Sequence, residues 1–318
     1  MVYLKTMLHV RGKNIYIEKN GADHLPKLLY LHGGPGSGCL DFTHFQASNL
    51  AKKVQLIALD QRGIGRSEGL AETDNLTLDD LVEDCEEIRK QLGIEKWSVL
   101  GHSFGAILAV LYAVRYPKAL VKLIFECPTF DLKLSAKSLL KGAIGEYEKK
   151  ENHVMVENCL KCIRGDQSSR ETWELLMHLT NELGEDRENL YFKNLSPNVF
   201  HHIYEEVYGP PSEGWNKQGV FQQKLYQQDE LFESFLPLLE KIAHPALLIK
   251  GKYDWVASEE QIEFFLKAVK HPFVEYFDQS AHFPHMEEKD RFTDVVSQFL
   301  NSEVIDSGNN HFQGVQSK

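Results

Sequence analysis

The chain has 318 residues, of which 42% are hydrophobic and 25% charged, enough to bury one sizeable core. Its formal net charge of -11, with no concentrated basic patch, argues against nucleic acid or an anionic membrane as the main partner. No stretch approaches the roughly 18 consecutive apolar residues of a membrane helix, and the N-terminus lacks the pattern of a cleaved signal. We therefore expect a soluble, cytoplasmic protein.

Short apolar runs alternate with helical segments over the first 127 residues. Runs on either side of Gly12 predict a β-hairpin, and Thr77-Leu-Asp-Asp80 predicts a capping box that opens a helix. Near-continuous apolar runs are typical of strands buried on both faces, so the alternation predicts a parallel sheet covered by helices. The predicted strands are Met7–Val10, Asn14–Ile17, Lys27–Leu31, Val54–Leu59, Trp97–Leu100 and Leu120–Cys127.

The alternation stops after Cys127 and resumes near His244, which indicates a helical insertion between two parts of one sheet. We expect a main domain of residues 1–127 and 244–302, a helical cap domain of residues 128–243 and a flexible tail of residues 303–318. The predicted cap helices are Val154–Ile163, Glu171–Leu183 and Asn198–Val207, and the later strands are Ala246–Ile249 and Phe273–Phe277.

The chain has five cysteines, an odd number that, without a secretion signal, indicates reduced thiols. Cys159 and Cys162 have the spacing of a redox or metal pair. No second pair follows them, so packing within a helix is the favoured interpretation.

Gly101-His102-Ser103-Phe104-Gly105 is a G-x-S-x-G sequence between a predicted strand and a predicted helix. Its small residues permit a tight, strained turn that exposes the serine hydroxyl, and the helix behind it points its amides at developing negative charge. The five-residue pattern alone occurs by chance. Its strand–turn–helix context is what predicts Ser103 as a nucleophile.

A serine nucleophile needs a base, and in this arrangement the chain order is serine, then an acid, then histidine. Asp254 and His282 each follow a predicted strand, at the edge where open α/β sheets build their sites. We predict His282 as the base and Asp254 as the acid that orients it. His285 and Asp131 remain as the rival base and the alternative acid.

His32-Gly-Gly-Pro-Gly36 follows another predicted strand and lets backbone amides approach an oxyanion without an intervening Cβ. We predict the amides of Gly34 and Phe104 as the two oxyanion donors. A phosphate-binding loop is the alternative, but the segment lacks the Lys-Ser/Thr ending of a P-loop and the spacing of a dinucleotide fingerprint. The charged segment Asp60–Ser67 is interpreted as a buried network that braces this loop.

Together these motifs resemble the α/β-hydrolase superfamily and, more narrowly, the proline iminopeptidase (prolyl aminopeptidase) family. The similarity spans roughly residues 5–127 and 244–300. It implies an α/β-hydrolase fold: a mostly parallel eight-stranded sheet with flanking helices and an inserted helical cap. It also implies removal of an N-terminal residue, often proline, from short peptides through an acyl-enzyme, without metal or organic cofactor.

Related aminopeptidases hold the substrate ammonium with glutamates near the site. In one branch a glutamate directly follows the triad aspartate, but this chain has Trp255 there, which favours an apolar acyl or leaving group. Glu213 lies in a segment that resembles the family's cap, and Glu205 and Glu206 are further candidates.

We therefore expect a small-molecule or short-peptide substrate and an aminopeptidase. A carboxylesterase or lactonase, and a non-catalytic ligand receptor on the same fold, are the alternatives. The oligomeric state is left open.

Overall fold

Eight strands form a single sheet in the computed structural model, which describes residues 3–196, 198–208 and 213–302. The strand order is β1-β2-β4-β3-β5-β6-β7-β8, and all neighbouring strands from β4 to β8 are parallel. The predicted mostly parallel eight-stranded sheet is confirmed, while the predicted tail lies outside the described residues. The strands are β1 (Tyr3–Val10), β2 (Lys13–Asn20), β3 (Lys27–Leu31), β4 (Gln55–Leu59), β5 (Trp97–His102), β6 (Leu120–Glu126), β7 (Pro245–Gly251) and β8 (His271–Phe277).

The first two strands form the predicted hairpin at one edge of the sheet. β1 pairs antiparallel with β2 along its whole length, and β2 pairs antiparallel with β4. An antiparallel edge on an otherwise parallel sheet is common in α/β proteins.

Helices cover both faces of the sheet because successive strand residues point to opposite sides. In β3, Leu29 and Leu31 join the core cluster that includes α2, α3 and α9, whereas Leu28 and Tyr30 join the cluster that includes α1 and α11. The helices are α1 (Leu40–Leu50), α2 (Leu78–Gln91), α3 (Gly105–Arg115), α4 (Leu132–Lys149), α5 (His153–Arg164), α6 (Ser169–Asn181), α7 (Asn198–Tyr208), α8 (Glu213–Tyr226), α9 (Glu259–Ala268), α10 (Pro284–Glu287) and α11 (Lys289–Asn301). None of those described has the length and apolar character needed to cross a membrane.

The predicted capping box is present at the start of α2. The Thr77 hydroxyl accepts a hydrogen bond from the Asp80 amide, and the Asp80 carboxylate accepts one from the Thr77 amide. Each side chain thus satisfies a backbone group that the first turn leaves without a partner.

Helices α4 to α8 lie in sequence between β6 and β7, in the stretch predicted to form the cap. Of these, α4 to α6 share a separate apolar cluster that buries Cys159 and Cys162, in agreement with the packing interpretation. All five cysteines are buried and free. Within the stretch between β6 and β7 the sequence did not predict α4 or α8 as distinct helices, and in the rest of the chain it did not predict α1 or α10.

Candidate active site

Ser103 lies in a sharp turn between β5 and α3, with a backbone φ of 52° that non-glycine residues rarely adopt. The turn is tight because the two glycines of the motif pack directly on backbone. A Cβ on Gly101 would lie 2.4 Å from the Gly105 carbonyl oxygen, and one on Gly105 would lie 2.1 Å from that of Leu31. Both distances are shorter than atomic contact allows, so only glycine fits at either position.

The buried pair Asp254 and His282 extends from the carboxyl ends of β7 and β8. The Asp254 Oδ1 atom lies 2.9 Å from His282 Nδ1. The same carboxylate accepts hydrogen bonds from the amides of Val256 (2.9 Å) and Ala257 (3.0 Å), which fix its orientation. The His282 amide donates to the Tyr191 carbonyl oxygen at 2.9 Å, so the cap contributes to holding the histidine loop.

The electrostatics of this pair suit a neutral base beside a permanent anion. Burial raises the pKa of Asp254, but Lys250 and His282 lower it by more than burial raises it. The net pKa therefore lies well below its ordinary value. Burial lowers the pKa of His282, and the attraction of Asp254 offsets this only in part. The net pKa of His282 is lowered, so its imidazole is unprotonated near neutral pH and able to accept a proton.

The predicted oxyanion donors lie on one cavity together with Ser103 and His282. Gly34 has a backbone φ of 114°, a conformation open to glycine. Among the described residues, neither the Gly34 amide nor the Phe104 amide donates a hydrogen bond to another protein group. Both donors therefore remain available to a ligand.

The oxyanion loop is braced from the main domain by a buried charge network, as the sequence indicated. Asp60 is fully buried and accepts hydrogen bonds from the amides of Cys39 and Arg66, both at 2.9 Å. Its carboxylate also pairs with the Arg66 guanidinium at 2.8 Å, and that guanidinium stacks 3.8 Å from the Tyr16 ring centroid. This network fixes the residues that follow the glycine-rich loop.

The cap holds the same loop from the other side. Gln222 of α8 donates a hydrogen bond to the Pro35 carbonyl oxygen at 2.9 Å, and the Tyr204 hydroxyl of α7 donates to that of Ser37. The Lys217 ammonium donates to two further carbonyl groups in the segment Asp60–Ser67, at 3.1 Å and 2.8 Å. The loop that carries Gly34 is therefore fixed by both domains.

The cavity has a volume of about 440 Å³ and lies between the strand ends and the cap. Much of its wall is apolar or aromatic. Two charged residues on its cap side, Arg187 and Glu188, come from a 3-10 helix, Gly184–Leu190, that the sequence did not single out. No motif or period distinguishes them from other polar cap residues. The apolar and aromatic part of the lining includes Leu132, Leu139, Trp173, Tyr191, Phe192 and Tyr226.

Three of the predicted substrate-binding residues, Trp255, Glu205 and Glu206, do not line this cavity. Trp255 is 39% exposed, and its indole packs over Gly142 of α4, where an added Cβ would meet ring atoms at 2.9 Å. Trp255 therefore packs against α4 and is not part of the lining of the cavity that contains Ser103. Glu205 and Glu206 are exposed on α7 and do not line the cavity. Glu213 begins α8, and its side chain lies outside the part of the chain that the structure describes.

The rival base and the alternative acid have other structural roles. His285 is fully buried, and its Nδ1 atom lies 2.8 Å from Glu126 Oε1. Asp131 caps α4 by accepting a hydrogen bond from the Leu134 amide at 2.9 Å. Neither residue lines the cavity that contains Ser103.

Within the described residues, two buried clusters bring metal-ligand atom types within 4.8 Å of one another. Each contains a histidine and a carboxylate already joined by a short hydrogen bond, so a metal ion would have to replace that bond. The clusters are His102, Glu126 and His285, and Cys127, Asp254 and His282.

Comparison with known proteins agrees with this geometry. A sequence profile of the α/β hydrolase fold matches residues 26–289, which is well over half of the chain. The chain belongs to the α/β-hydrolase fold family. The family resemblance inferred from the motifs is thereby confirmed.

Among proteins of this family, the proline iminopeptidase of Heyndrickxia coagulans is 27% identical over 316 residues, covering 95% of this chain and 100% of the relative. The proline iminopeptidase of Saccharolobus solfataricus is 26% identical over 295 residues, covering 86% of this chain and 84% of the relative. The chain thus resembles proline iminopeptidases along most of its length, including the cap.

Solved structures agree on the fold. The proline iminopeptidase of Mycobacterium smegmatis superposes with a TM-score of 0.67 at 20% identity, covering 93% of this chain and 97% of that one. An esterase from Exiguobacterium antarcticum superposes with a TM-score of 0.65 at 20% identity, covering 94% and 100%. Since a peptidase and an esterase fit about equally well, these structures establish the α/β-hydrolase fold and leave the substrate to the site itself.

Proposed function

We propose that this protein is a serine aminopeptidase that releases an N-terminal residue of proline type from short peptides. The observation that carries the proposal is the buried 2.9 Å Asp254–His282 contact on the cavity that also contains the strained turn of Ser103. The full-length similarity to proline iminopeptidases supports the choice of a peptide substrate.

The reaction follows from the roles of these groups. His282 accepts the Ser103 hydroxyl proton as Oγ attacks the scissile carbonyl, and the Gly34 and Phe104 amides donate hydrogen bonds to the oxyanion. His282 then gives that proton to the leaving amine as the peptide bond breaks. Water repeats the sequence on the acyl-enzyme, and the proline-type amino acid leaves.

An aminopeptidase must also bind the free ammonium, and two carboxylates besides the triad line the cavity. Asp41 Oδ2 lies 3.7 Å from Nε2 of His285, whose pKa is raised to about 9 because Glu126 and Asp41 together outweigh the lowering effect of burial. The single positive charge of His285 is shared with Glu126, whose Oε1 atom lies 2.8 Å from Nδ1. Asp41 is buried, with 2% of its surface exposed, whereas Glu188 is only half-buried and is more accessible to a substrate. No described basic side chain forms an ion pair with Glu188. We therefore assign the ammonium contact to Glu188, in place of Glu205 and Glu206.

The test compares kcat/KM for a proline chromogenic amide with its amine free and with its amine acetylated. We expect a preference of about a hundredfold or more for the free amine, which corresponds to roughly 2.7 kcal/mol of transition-state stabilisation. Glu188→Gln should reduce that preference by about tenfold or more, whereas Glu205→Gln, the matched control, should leave it unchanged. Equal rates for both amides would contradict an aminopeptidase.

The alternative is a carboxylesterase or lactonase, which the largely apolar cavity wall favours. Rapid hydrolysis of a simple aryl ester together with no cleavage of either amide would select it. A non-catalytic receptor is excluded if a fluorophosphonate probe labels Ser103, because only an activated serine reacts readily.

A further inference from the structure

Arg187 is a second charged group on the cap wall of the cavity, adjacent in sequence to Glu188. Its guanidinium contacts neutral partners: Asn181 Oδ1 at 3.1 Å, Met177 Sδ at 3.4 Å and the Tyr191 phenol. Its Nε atom is buried and has no hydrogen-bond partner among the described residues. The partners of this half-buried cation are therefore neutral, and none of them supplies a counter-charge.

The two arginines of the segment Asp60–Ser67, which do not line the cavity, have a different environment. Arg66 is paired with Asp60 and Glu18, and the Nε atom of Arg62 donates to Asp84 at 2.6 Å. No carboxylate among the described side chains forms an ion pair with Arg187, and this includes Glu188. Removing a cation from water without a counter-charge is costly, so an unpaired arginine on a cavity wall indicates that a ligand supplies the anion.

Arg187 is separated from the catalytic base by one aromatic side chain. The Tyr191 ring centroid lies 5.7 Å from that of His282, and burial raises the pKa of the Tyr191 phenol while Arg187 partly opposes the rise. An extended peptide advances roughly 3.3–3.6 Å per residue. Arg187 and Ser103 line the same cavity, and we place the residues beyond the scissile bond along the path from His282 past Tyr191 to Arg187.

We propose that Arg187 binds the C-terminal carboxylate of the substrate, which makes dipeptides and tripeptides with a free carboxylate the preferred substrates. The proposal rests on the aminopeptidase function above and extends it to the leaving side of the peptide. Opposite charges on Glu188 and Arg187 match the two ends of a zwitterionic peptide. A planar guanidinium offers paired donors to a carboxylate, which adds orientation to the attraction.

The experiment measures kcat/KM for prolyl-alanine, prolyl-alaninamide and prolyl p-nitroanilide with the full chain. The wild-type protein should prefer the free acid over the amide by about tenfold or more, because a charge-assisted pair is lost with the amide. Arg187→Met should reduce that ratio to about one. Turnover of the anilide, which has no carboxylate, is the reference rate for each variant, and a thermal unfolding curve reports whether Arg187→Met is folded.

Two further variants sharpen the result. Arg187→Lys keeps the charge without the paired donors and should retain part of the preference for the acid. Arg164→Gln removes an exposed arginine at the end of α5 and should keep the wild-type ratio.

Equal kcat/KM for prolyl-alanine and prolyl-alaninamide, with brisk cleavage of both, would overturn the role of Arg187 and leave the aminopeptidase intact. An unchanged ratio in Arg187→Met would do the same. Failure of all three proline substrates would overturn the proposed function and this inference together.

Discussion

The two sides of the cavity differ in whether their charged side chains have ion-pair partners. On the side formed by the strand ends, buried charged groups are paired: Asp254 with His282, Asp60 with Arg66, and Glu126 with His285. On the cap side, Arg187 and Glu188 line the cavity without ion-pair partners among the described residues.

This difference in charge pairing suggests separate roles for the two sides of the cavity, one in catalysis and the other in substrate recognition. Paired and buried groups are held in one geometry, which suits proton transfer and oxyanion stabilisation. A charged side chain that has no ion-pair partner on a cavity wall can form an ion pair with a bound ligand, which suits recognition of a charged substrate. In the proposed reaction, groups on the sheet side therefore perform the chemistry, and groups on the cap side select the substrate.

The largest expected effect concerns the sheet side. Ser103→Ala removes the proposed nucleophile and should lower turnover by about 10⁴ or more, since every step of the proposed reaction proceeds through this hydroxyl. The measurement is kcat on the best proline substrate, with a thermal unfolding curve to verify folding. If the variant kept a tenth of the activity, catalysis would have to be assigned to another residue.

Two glycine substitutions compare the serine turn with helix α4 through their effects on the free energy of unfolding. Gly105→Ala places a Cβ 2.1 Å from the Leu31 carbonyl oxygen and should destabilise the fold by about 1–3 kcal/mol or more. Gly145→Ala in α4 meets no atom within 4 Å and should stabilise by up to about 1 kcal/mol through helix propensity. Urea unfolding at neutral pH measures both changes. Equal effects at the two positions would contradict the tight packing of the serine turn.

The smallest expected effect is the pH dependence of stability that arises from the buried pair Glu126 and His285. The pKa of His285 is about 9, above its ordinary value, so its stabilisation is complete below about pH 6.5 and is lost as pH rises through 9. Burial raises the pKa of Glu126, but His285 and His102 lower it more, to about 2. Its stabilisation is therefore complete above about pH 4.5 and is lost as pH falls through 2. Together the pair stabilises the fold most between about pH 4.5 and 6.5.

The corresponding measurement is urea unfolding of the wild-type protein and of the double variant Glu126→Gln/His285→Gln. The stability advantage of the wild type should shrink by about 1–3 kcal/mol between about pH 5.5 and pH 9.5. His153→Gln, at an exposed position that begins α5, is the matched control that removes a histidine outside the pair. A constant advantage for the wild type would show that the pair is uncharged.

The sequence by itself determined the sheet, the serine turn and the positions of Asp254 and His282 relative to the strands. These features have local causes. Buried parallel strands require continuous apolar runs, and a tight turn against backbone requires glycine at Gly101 and Gly105. The carboxyl ends of parallel strands meet at one edge of the sheet, so residues that directly follow them converge.

Only the tertiary structure decided which polar residues face the cavity and which pair with each other. Glu126 and His285 are 159 residues apart in sequence, and nothing in either local segment indicates the other. In the cap, Glu188 lines the cavity while Glu205 is exposed, although both are glutamates in polar helical segments. A helical period identifies the face that packs against apolar neighbours, but it does not distinguish a polar face turned to solvent from one turned to an enclosed substrate. That distinction depends on how the cap packs over the strand ends, which is set by contacts between distant parts of the chain.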